Sequence, residues 1–209
     1  VLELAEGGRR VVAVGDVVFE DHPLVFVEEA DVEVDAAEVV AEADLDLIRP
    51  DLAELFDRRG YGLDENRPDA VAKRHGRGNR TARENLGQLV DPGTFVEYGR
   101  LMVAPQRKRR SFDDLLKNTS GDGMVAGIGQ VNGDLFGPER SQTMVMSYDY
   151  MVLAGTQGGQ NHRKKDRLFE IAEHNRLPVV LYAEGGGGRP GDTDGIGGSG
   201  LDCLAFYFF

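Results

Sequence analysis

The sequence predicts an α/β fold, because strand-like and helix-like stretches alternate along most of the chain. The clearest strand is the buried apolar run 179–181, and four consecutive glycines follow it at 185–188. A helix is predicted before this strand, over about 161–175. Its apolar face comprises Leu168, Ile171 and Ala172.

The glycine-rich stretch 177–200 is the most informative part of the chain. Residues without side chains let peptide N–H groups approach a ligand closely, and open α/β sheets bind ligands at the carboxyl ends of their strands. A flexible glycine linker is the alternative interpretation, but such linkers are rarely preceded by a buried strand. We therefore expect a ligand-binding loop at 185–188.

Composition limits the class of protein. The chain has 209 residues, of which 41% are hydrophobic, enough for one medium-sized domain. It has no run of 18 apolar residues, and its charged N-terminus lacks the apolar core of a signal peptide, so neither a membrane span nor export is predicted. The single cysteine, Cys203, cannot form an internal disulfide, which fits a reducing compartment. The expected location is the cytoplasm.

The two parts of the chain differ in charge. Residues 1–70 contain 20 acidic and 6 basic residues, whereas residues 71–209 contain 16 acidic and 18 basic residues. The acidic part argues against general binding to nucleic acid. The nearly neutral part has local basic clusters that suit a small, phosphate-bearing ligand.

The N-terminal segment predicts two short strands with turns at Gly15-Asp16 and Asp21-His22-Pro23. The stretch 12–30 resembles the repeating half-motif of biotinyl and lipoyl carrier domains, so we interpret 1–35 as part of such a domain. The modified lysine of those domains lies in an Ala-Met-Lys-Met turn, and residues 1–50 contain no lysine. An unrelated or decayed β-hairpin is the alternative.

An acidic helical linker is predicted over 36–78. Pro50 is expected to start a short helix, and the glycine-containing stretch 58–79 is expected to be exposed. The basic run 73–78 is either a phosphate contact or, as is more common, a solvated charge cluster. His75 is expected at the surface.

The next elements follow a regular order. Thr81 and Glu84 have the spacing of a capping box, which predicts a helix over 81–90. Asn132-Gly133 is a strong hairpin signal and predicts that 131–136 pairs with the strand before it. The predicted strands of this part are 95–98, 121–127, 131–136 and 143–148.

Four of these stretches carry a family resemblance. The stretch 78–99, GNRTARENLGQLVDPGTFVEYG, resembles the opening of the carboxyltransferase region of biotin-dependent acyl-CoA carboxylases, where a Leu-Thr-Ala-Arg-Glu helix precedes an Asp-Pro-Gly-Ser-Phe-Val-Glu turn and strand. The stretch 121–127 is similar to that family's Gly-Asp-Gly-Val-Val-Thr-Gly strand. The stretch 148–159 resembles its apolar segment ending in two glycines, and 184–189 resembles its Asp-Ser-Gly-Gly-Ala-Arg loop.

The resemblance implies a crotonase-like fold of repeated ββα units, with 79–209 as a C-terminally truncated carboxyltransferase N-domain. It implies transfer of a carboxyl group from carboxybiotin to the α-carbon of an acyl-CoA. That reaction passes through an enolate, whose oxygen needs oriented donors. Gly186, Gly187 and Gly188 fall where the family's oxyanion hole for the acyl thioester lies. No side-chain base is obvious, which agrees with the family mechanism, in which the biotin ureido nitrogen takes the α-proton.

Basic residues near the helix 161–175 are the candidates for contact with the phosphates of CoA. Cations at a helix N-terminus are mildly unfavourable, which favours a ligand, but a solvated first turn is the alternative. His162 and His174 have no carboxylate or cysteine partners at ligand spacing, so we predict surface histidines and no metal site. The predicted cofactor-binding residues are Arg163, Lys164, Lys165 and Arg189.

Partners also follow from the resemblance. It implies acyl-CoA as substrate, biotin on a carrier domain, ATP only at a separate biotin carboxylase domain, and a homo-oligomer. The family's active site lies between the N-domain of one subunit and the C-domain of another, so we expect the isolated chain to be an inactive segment of a larger polypeptide. Two alternatives remain: another crotonase-fold acyl-CoA enzyme, such as a decarboxylase or hydratase, and a non-catalytic assembly fragment.

Overall fold

The computed structural model describes residues 8–10, 25–27, 44 and 46–194. The chain divides into two compact units, Val1–Leu47 and Ile48–Phe209. In the first unit, β1 (Gly8–Arg10) pairs antiparallel with β2 (Val25–Val27). β2 lies in the predicted second strand, whereas the predicted Gly-Asp turn lies outside the described residues.

The second unit is built on a four-stranded mixed sheet. Its strands are β3 (Val96–Glu97), β4 (Met124–Gln130), β5 (Gln142–Tyr148) and β6 (Val179–Tyr182). They lie in the order β3-β4-β5-β6. The first two pairs are antiparallel, and β5 pairs with β6 in parallel.

Six helices accompany the strands in the described part of the chain: α1 (Pro50–Gly60), α2 (Pro68–His75), α3 (Ala82–Leu89), α4 (Phe112–Asn118), α5 (Gly133–Phe136) and α6 (Gly159–His174). The predicted capping box at the start of α3 is confirmed. The Glu84 N–H donates to the Thr81 hydroxyl (3.0 Å), and the Glu84 carboxylate accepts from the Thr81 N–H (2.7 Å). The prediction that Pro50 starts a helix is also confirmed.

Helices cover both faces of the sheet. Successive side chains of a strand point to opposite faces, so β4 and β5 contribute apolar residues to two separate clusters. On one face, α6 packs its predicted apolar stripe against β4 and β5. That cluster comprises Met124, Ala126, Met144, Met146, Leu168 and Ala172. On the other face, α3 packs against the alternate side chains of the same strands. That cluster comprises Ala82, Leu86, Val90, Val125 and Val145. The predicted α/β class is confirmed.

The predicted strand 131–136 is wrong. Asn132 has a φ of 56°, and α5 follows it directly, so that β4 pairs instead with β5. The carboxylate of Asp91 accepts hydrogen bonds from the N–H groups of Asn132 (3.2 Å) and Gly133 (2.6 Å). This contact from outside the turn stabilises a helical connection where the dipeptide alone predicted a tight hairpin.

The expected exposed linker at 58–79 is also wrong. This stretch contains the end of α1, all of α2 and a short 3-10 turn between them. Arg74 is buried, and only 12% of the Arg67 side chain is exposed. Lys73, His75 and Arg77 are exposed, as expected of a solvated basic run.

None of the helices in the described part of the chain has the length and apolar character needed to cross a membrane. Cys203 lies outside the described residues.

Candidate functional site

The candidate site lies where the two parallel strands end. β5 and β6 run in the same direction, so the segments that follow them emerge at one edge of the sheet. The Gln157 N–H donates to the Gly187 carbonyl (2.8 Å), and the Gln157 carbonyl accepts from the Arg189 N–H (2.8 Å). The glycine loop 185–188 is therefore paired with the segment after β5, which excludes the interpretation of a free linker.

The three predicted oxyanion-hole glycines differ in what their amides do. The Gly186 N–H donates to the Ala154 carbonyl (3.3 Å). Within the described residues, the N–H groups of Gly187 and Gly188 donate to no protein acceptor, and both glycines are exposed. Gly187 has a φ of 81°, a conformation that glycine adopts without strain. Two of the three amides are thus available to a ligand.

Arg189 points inward from the end of this loop. Its Nε donates to Asp192 Oδ1 (2.7 Å), its Nη1 donates to the Thr156 carbonyl (3.3 Å), and its Nη2 donates to Asp122 Oδ1. Only 7% of the side chain is exposed. Burial lowers the pKa of Arg189, but the carboxylates of Asp192 and Asp122 raise it by more. Arg189 therefore fastens the loop to the protein, and its guanidinium is already occupied.

Asp122, the partner of Arg189 Nη2, is fully buried. We call this ion pair the Arg189–Asp122 clamp. Besides Arg189, Asp122 accepts from the backbone N–H of Asn161 at the start of α6 (2.8 Å). Burial raises the pKa of Asp122, and the Arg189 guanidinium offsets part of that rise. The clamp thus joins the start of β4, the start of α6 and the glycine loop.

A second arginine holds the residue that precedes the loop. Arg74 of α2 forms two hydrogen bonds with the carboxylate of Glu184, of 2.9 and 2.8 Å. Its guanidinium carbon lies 5.0 Å from the centre of the Tyr150 ring. The peptide that enters the glycine loop is thereby tied to a helix 110 residues away in sequence.

A cationic cavity of about 390 Å³ adjoins these elements. It is lined by α2 and by the segment after β5, including Ala154, whose carbonyl accepts from the glycine loop. Lys73 and Arg77 line it and are exposed, and within the described residues neither forms an ion pair. A positive cavity of this size beside open backbone amides suits a ligand that combines phosphates with a carbonyl group.

Comparison with known proteins places this chain in a family. The carboxyl transferase domain family matches residues 73–201, which include the last turn of α2, the sheet and the glycine loop. The chain belongs to this family. The resemblance to the carboxyltransferase region is therefore confirmed, whereas the carrier-domain interpretation of 1–35 stays a prediction.

Two relatives illustrate how much of a carboxyl transferase the chain covers. It is 34% identical over 142 residues to the biotin-dependent long chain acyl-coenzyme A carboxylase beta4 subunit of Mycobacterium tuberculosis (strain ATCC 25618 / H37Rv), an alignment of 68% of this chain and 24% of that protein. It is 31% identical over 159 residues to the propionyl-CoA carboxylase beta chain of Roseobacter denitrificans, covering 75% of this chain and 27% of that one. The chain spans about a quarter of these relatives.

Two solved structures of related enzymes are also similar to this chain. A single-chain, multi-domain long-chain acyl-CoA carboxylase matches 95% of this chain with 52% identity and a TM-score of 0.71, over 18% of that larger chain. Transcarboxylase 12S, solved with methylmalonyl-CoA and methylmalonic acid bound, matches 76% of this chain with 26% identity and a TM-score of 0.54, over 28% of its own.

The three basic residues 163–165 at the start of α6, which the sequence predicted as one phosphate-binding cluster, differ in their environments. Arg163 is exposed, whereas Lys164 and Lys165 are buried. Lys164 Nζ donates to the Met124 carbonyl (2.6 Å), and Lys165 Nζ donates to Gln157 Oε1 (2.7 Å). The expected alternative of a solvated first turn is wrong for both lysines, and their ammonium groups face protein acceptors.

Lys164 is the most perturbed of these cations. Burial lowers its pKa to about 8, although the nearby Glu97 carboxylate raises it in part. Lys164 is buried because it lies on the face of α6 that packs against the protein, together with residues 161, 165, 168 and 172. The spacing of these positions in the sequence is that of one helical face, so this burial could have been predicted.

The two histidines of α6 differ in exposure. His174 is exposed, as predicted. The prediction of a surface position is wrong for His162, which is 8% exposed and whose pKa is lowered by burial. In the described part of the chain, no group of three His, Cys, Asp or Glu side chains is placed to hold a metal ion.

Proposed function

We propose that this chain supplies the acyl-CoA half of a carboxyltransferase active site, in which a carboxyl group is transferred to the α-carbon of an acyl-CoA. The observation that carries the proposal is the pair of exposed, undonated amides at Gly187 and Gly188, in a loop that is hydrogen-bonded through Gly186 to Ala154, a residue that lines the cationic cavity. Membership of the carboxyl transferase domain family supports it.

The two amides suit the thioester end of the substrate. Removal of the α-proton turns the thioester carbonyl into an enolate oxygen, which carries negative charge. Preorganised N–H donors stabilise such an oxygen more than they stabilise the neutral carbonyl. Gly186 takes a different role, because its N–H already holds the loop to Ala154.

The cationic cavity suits the other end of the substrate. Lys73, in the last turn of α2, and Arg77, just after the helix, both line the cavity and are not neutralised by described carboxylates, so they attract the phosphates of CoA. Lys73 and Arg77 thus take the phosphate-binding role that the sequence predicted for Lys164, Lys165 and Arg189. The charged groups of those three residues are directed into the protein. The predicted role of Arg163 in phosphate contact stays a proposal.

The chain's own residues fit the acyl-CoA side of the reaction, and biotin, when bound, supplies the carboxyl group that is transferred. The names of the relatives support a biotin-dependent acyl-CoA carboxylase. We further propose that the complete protein has a crotonase-like fold, acts in the cytoplasm as a homo-oligomer with biotinyl carrier and biotin carboxylase domains, and uses ATP only in the latter.

The test is titration of propionyl-CoA into the 209-residue chain by calorimetry. We expect saturable binding that the double substitution Lys73→Ala/Arg77→Ala weakens by about tenfold or more, since two ion contacts are lost. Binding should also weaken as salt is raised.

The matched control is Arg107→Ala/Lys108→Ala, which removes two exposed cations that line a different cavity. This variant should bind propionyl-CoA as the unmodified chain does. Equal weakening by both double substitutions would indicate general attraction of charge, and no binding by a folded chain would contradict a preformed half-site.

A further inference from the structure

The helix α2 lies across the ends of both parallel strands of the site. Arg67, immediately before α2, donates to the carboxylate of Asp149 after β5 (2.6 Å). Arg74, in the last turn of α2, holds the carboxylate of Glu184 after β6. The two arginines are seven positions apart, or about 10 Å along a helix. One helix therefore fixes the start of both site segments.

Arg74 itself is not available to a ligand. Its Nε and Nη2 donate to the Arg80 carbonyl (3.1 and 2.7 Å), and its Nη1 and Nη2 donate to Glu184. Four of the five guanidinium N–H groups are thus directed at protein acceptors. With 7% exposure and a stacking contact on Tyr150, this cation has one orientation.

We infer that Arg74 is a positioning residue, which through Glu184 fixes the peptide entering the glycine loop so that the Gly187 and Gly188 amides face the thioester. The inference rests on the proposed function. It separates two roles at the C-terminal end of α2, because Lys73 and Arg77 attract the phosphates while Arg74 orients the loop.

This division predicts a separable effect. Glu184→Gln keeps the size of the side chain but removes the charge that opposes Arg74. The loop should then lose its fixed orientation while Lys73 and Arg77 still attract phosphate. Affinity for free CoA should stay the same or increase, because a partly released guanidinium adds positive charge to the cavity. A merely destabilised protein would lose affinity for both.

The experiment compares propionyl-CoA with S-propyl-CoA, a thioether that has a methylene group in place of the carbonyl. The unmodified chain should prefer the thioester by about three- to tenfold, the effect of one or two hydrogen bonds. Glu184→Gln should bring this ratio close to one, with free CoA binding retained. Arg74→Gln should also bring the ratio close to one, but it should weaken free CoA binding, because it leaves the Glu184 carboxylate unpaired beside the cavity. Glu184→Asp, which keeps the negative charge, should retain much of the preference for propionyl-CoA over S-propyl-CoA.

The matched control is Glu97→Gln, because Glu97 also forms a bidentate pair with an arginine, Arg83, at 2.9 and 3.1 Å. It lies on β3, and its loss should lower stability without changing the ratio. A ratio that persists in both Glu184→Gln and Arg74→Gln overturns the inference and leaves the proposed function standing. A ratio of one in the unmodified chain overturns both.

Discussion

Gly155 and Gly185 lie in direct backbone contact, where the segment after β5 meets the glycine loop after β6. A Cβ on Gly155 would lie 2.3 Å from the Glu184 carbonyl oxygen, and a Cβ on Gly185 would lie 2.3 Å from the Gly155 carbonyl oxygen. This contact allows the hydrogen bond from Gly186 to Ala154. The site is thus formed by two peptide segments packed without intervening side chains.

The first prediction concerns this contact. Gly155 has a φ of 66°, so Gly155→Ala adds backbone strain to the clash with Glu184. We expect the free energy of unfolding to fall by about 2 kcal/mol or more. Chemical denaturation measures it.

The comparison variant is Gly188→Ala, because a Cβ there meets no atom of the described residues within 4 Å. It should change the free energy of unfolding by less than about 0.5 kcal/mol. Equal stability of the two alanine variants would show that the packed contact is absent in solution.

The second prediction concerns the clamp between Arg189 and Asp122. Arg189→Met leaves a fully buried carboxylate without its cation, and we expect a loss of about 3–5 kcal/mol near neutral pH. The double substitution Arg189→Met/Asp122→Asn should recover part of this loss, because it removes the stranded charge.

The pH dependence has a definite sign. Without Arg189, the pKa of Asp122 should rise further above the ordinary 3.8, so the folded state binds a proton that the unfolded state releases. The deficit of Arg189→Met relative to the unmodified chain should therefore shrink as pH falls from 7 towards 4. A constant or growing deficit in denaturation curves over this range would contradict the assignment.

The third prediction concerns Lys164, whose pKa is lowered by burial to about 8 from 10.5. Between these values the unfolded state holds a proton that the folded state has lost, so stability rises with pH. Relative to Lys164→Met, the unmodified chain should gain stability from pH 8 upward, by about 3 kcal/mol over the full window. Parallel stability curves for the two proteins between pH 7 and 10 would show that Lys164 titrates normally.

Local patterns predicted much of the fold. The Thr81–Glu84 capping box, the strand before the glycines and the stripe of Leu168 and Ala172 all depend on residues a few positions apart. The predicted burial of that strand is wrong, because Val179 and Leu181 lie on an edge strand of the described sheet and are 38% and 36% exposed. Asn132-Gly133 failed because its conformation depends on Asp91, about 40 positions away.

The site was less predictable for the same reason. Its glycines could be found from sequence, since four in a row mark an open backbone. The partners of Arg67 and Arg74 lie 82 and 110 positions away, and no local spacing identifies them. The basic run and the glycines of 58–79 therefore predicted a linker. That stretch in fact contains α2, the helix that holds the site.

The most direct test of the acyl-CoA half-site is calorimetric titration of propionyl-CoA and S-propyl-CoA into the unmodified chain, Gly187→Pro and Gly137→Pro. Gly137 has a φ of 77°, close to the 81° of Gly187, but lies in the connection between β4 and β5 at the far end of β5. Proline removes the N–H and excludes these φ values at both positions. We predict that the unmodified chain and Gly137→Pro prefer the thioester, and that Gly187→Pro binds both ligands equally. The same preference in all three proteins would contradict the assignment of the glycine loop as the thioester site.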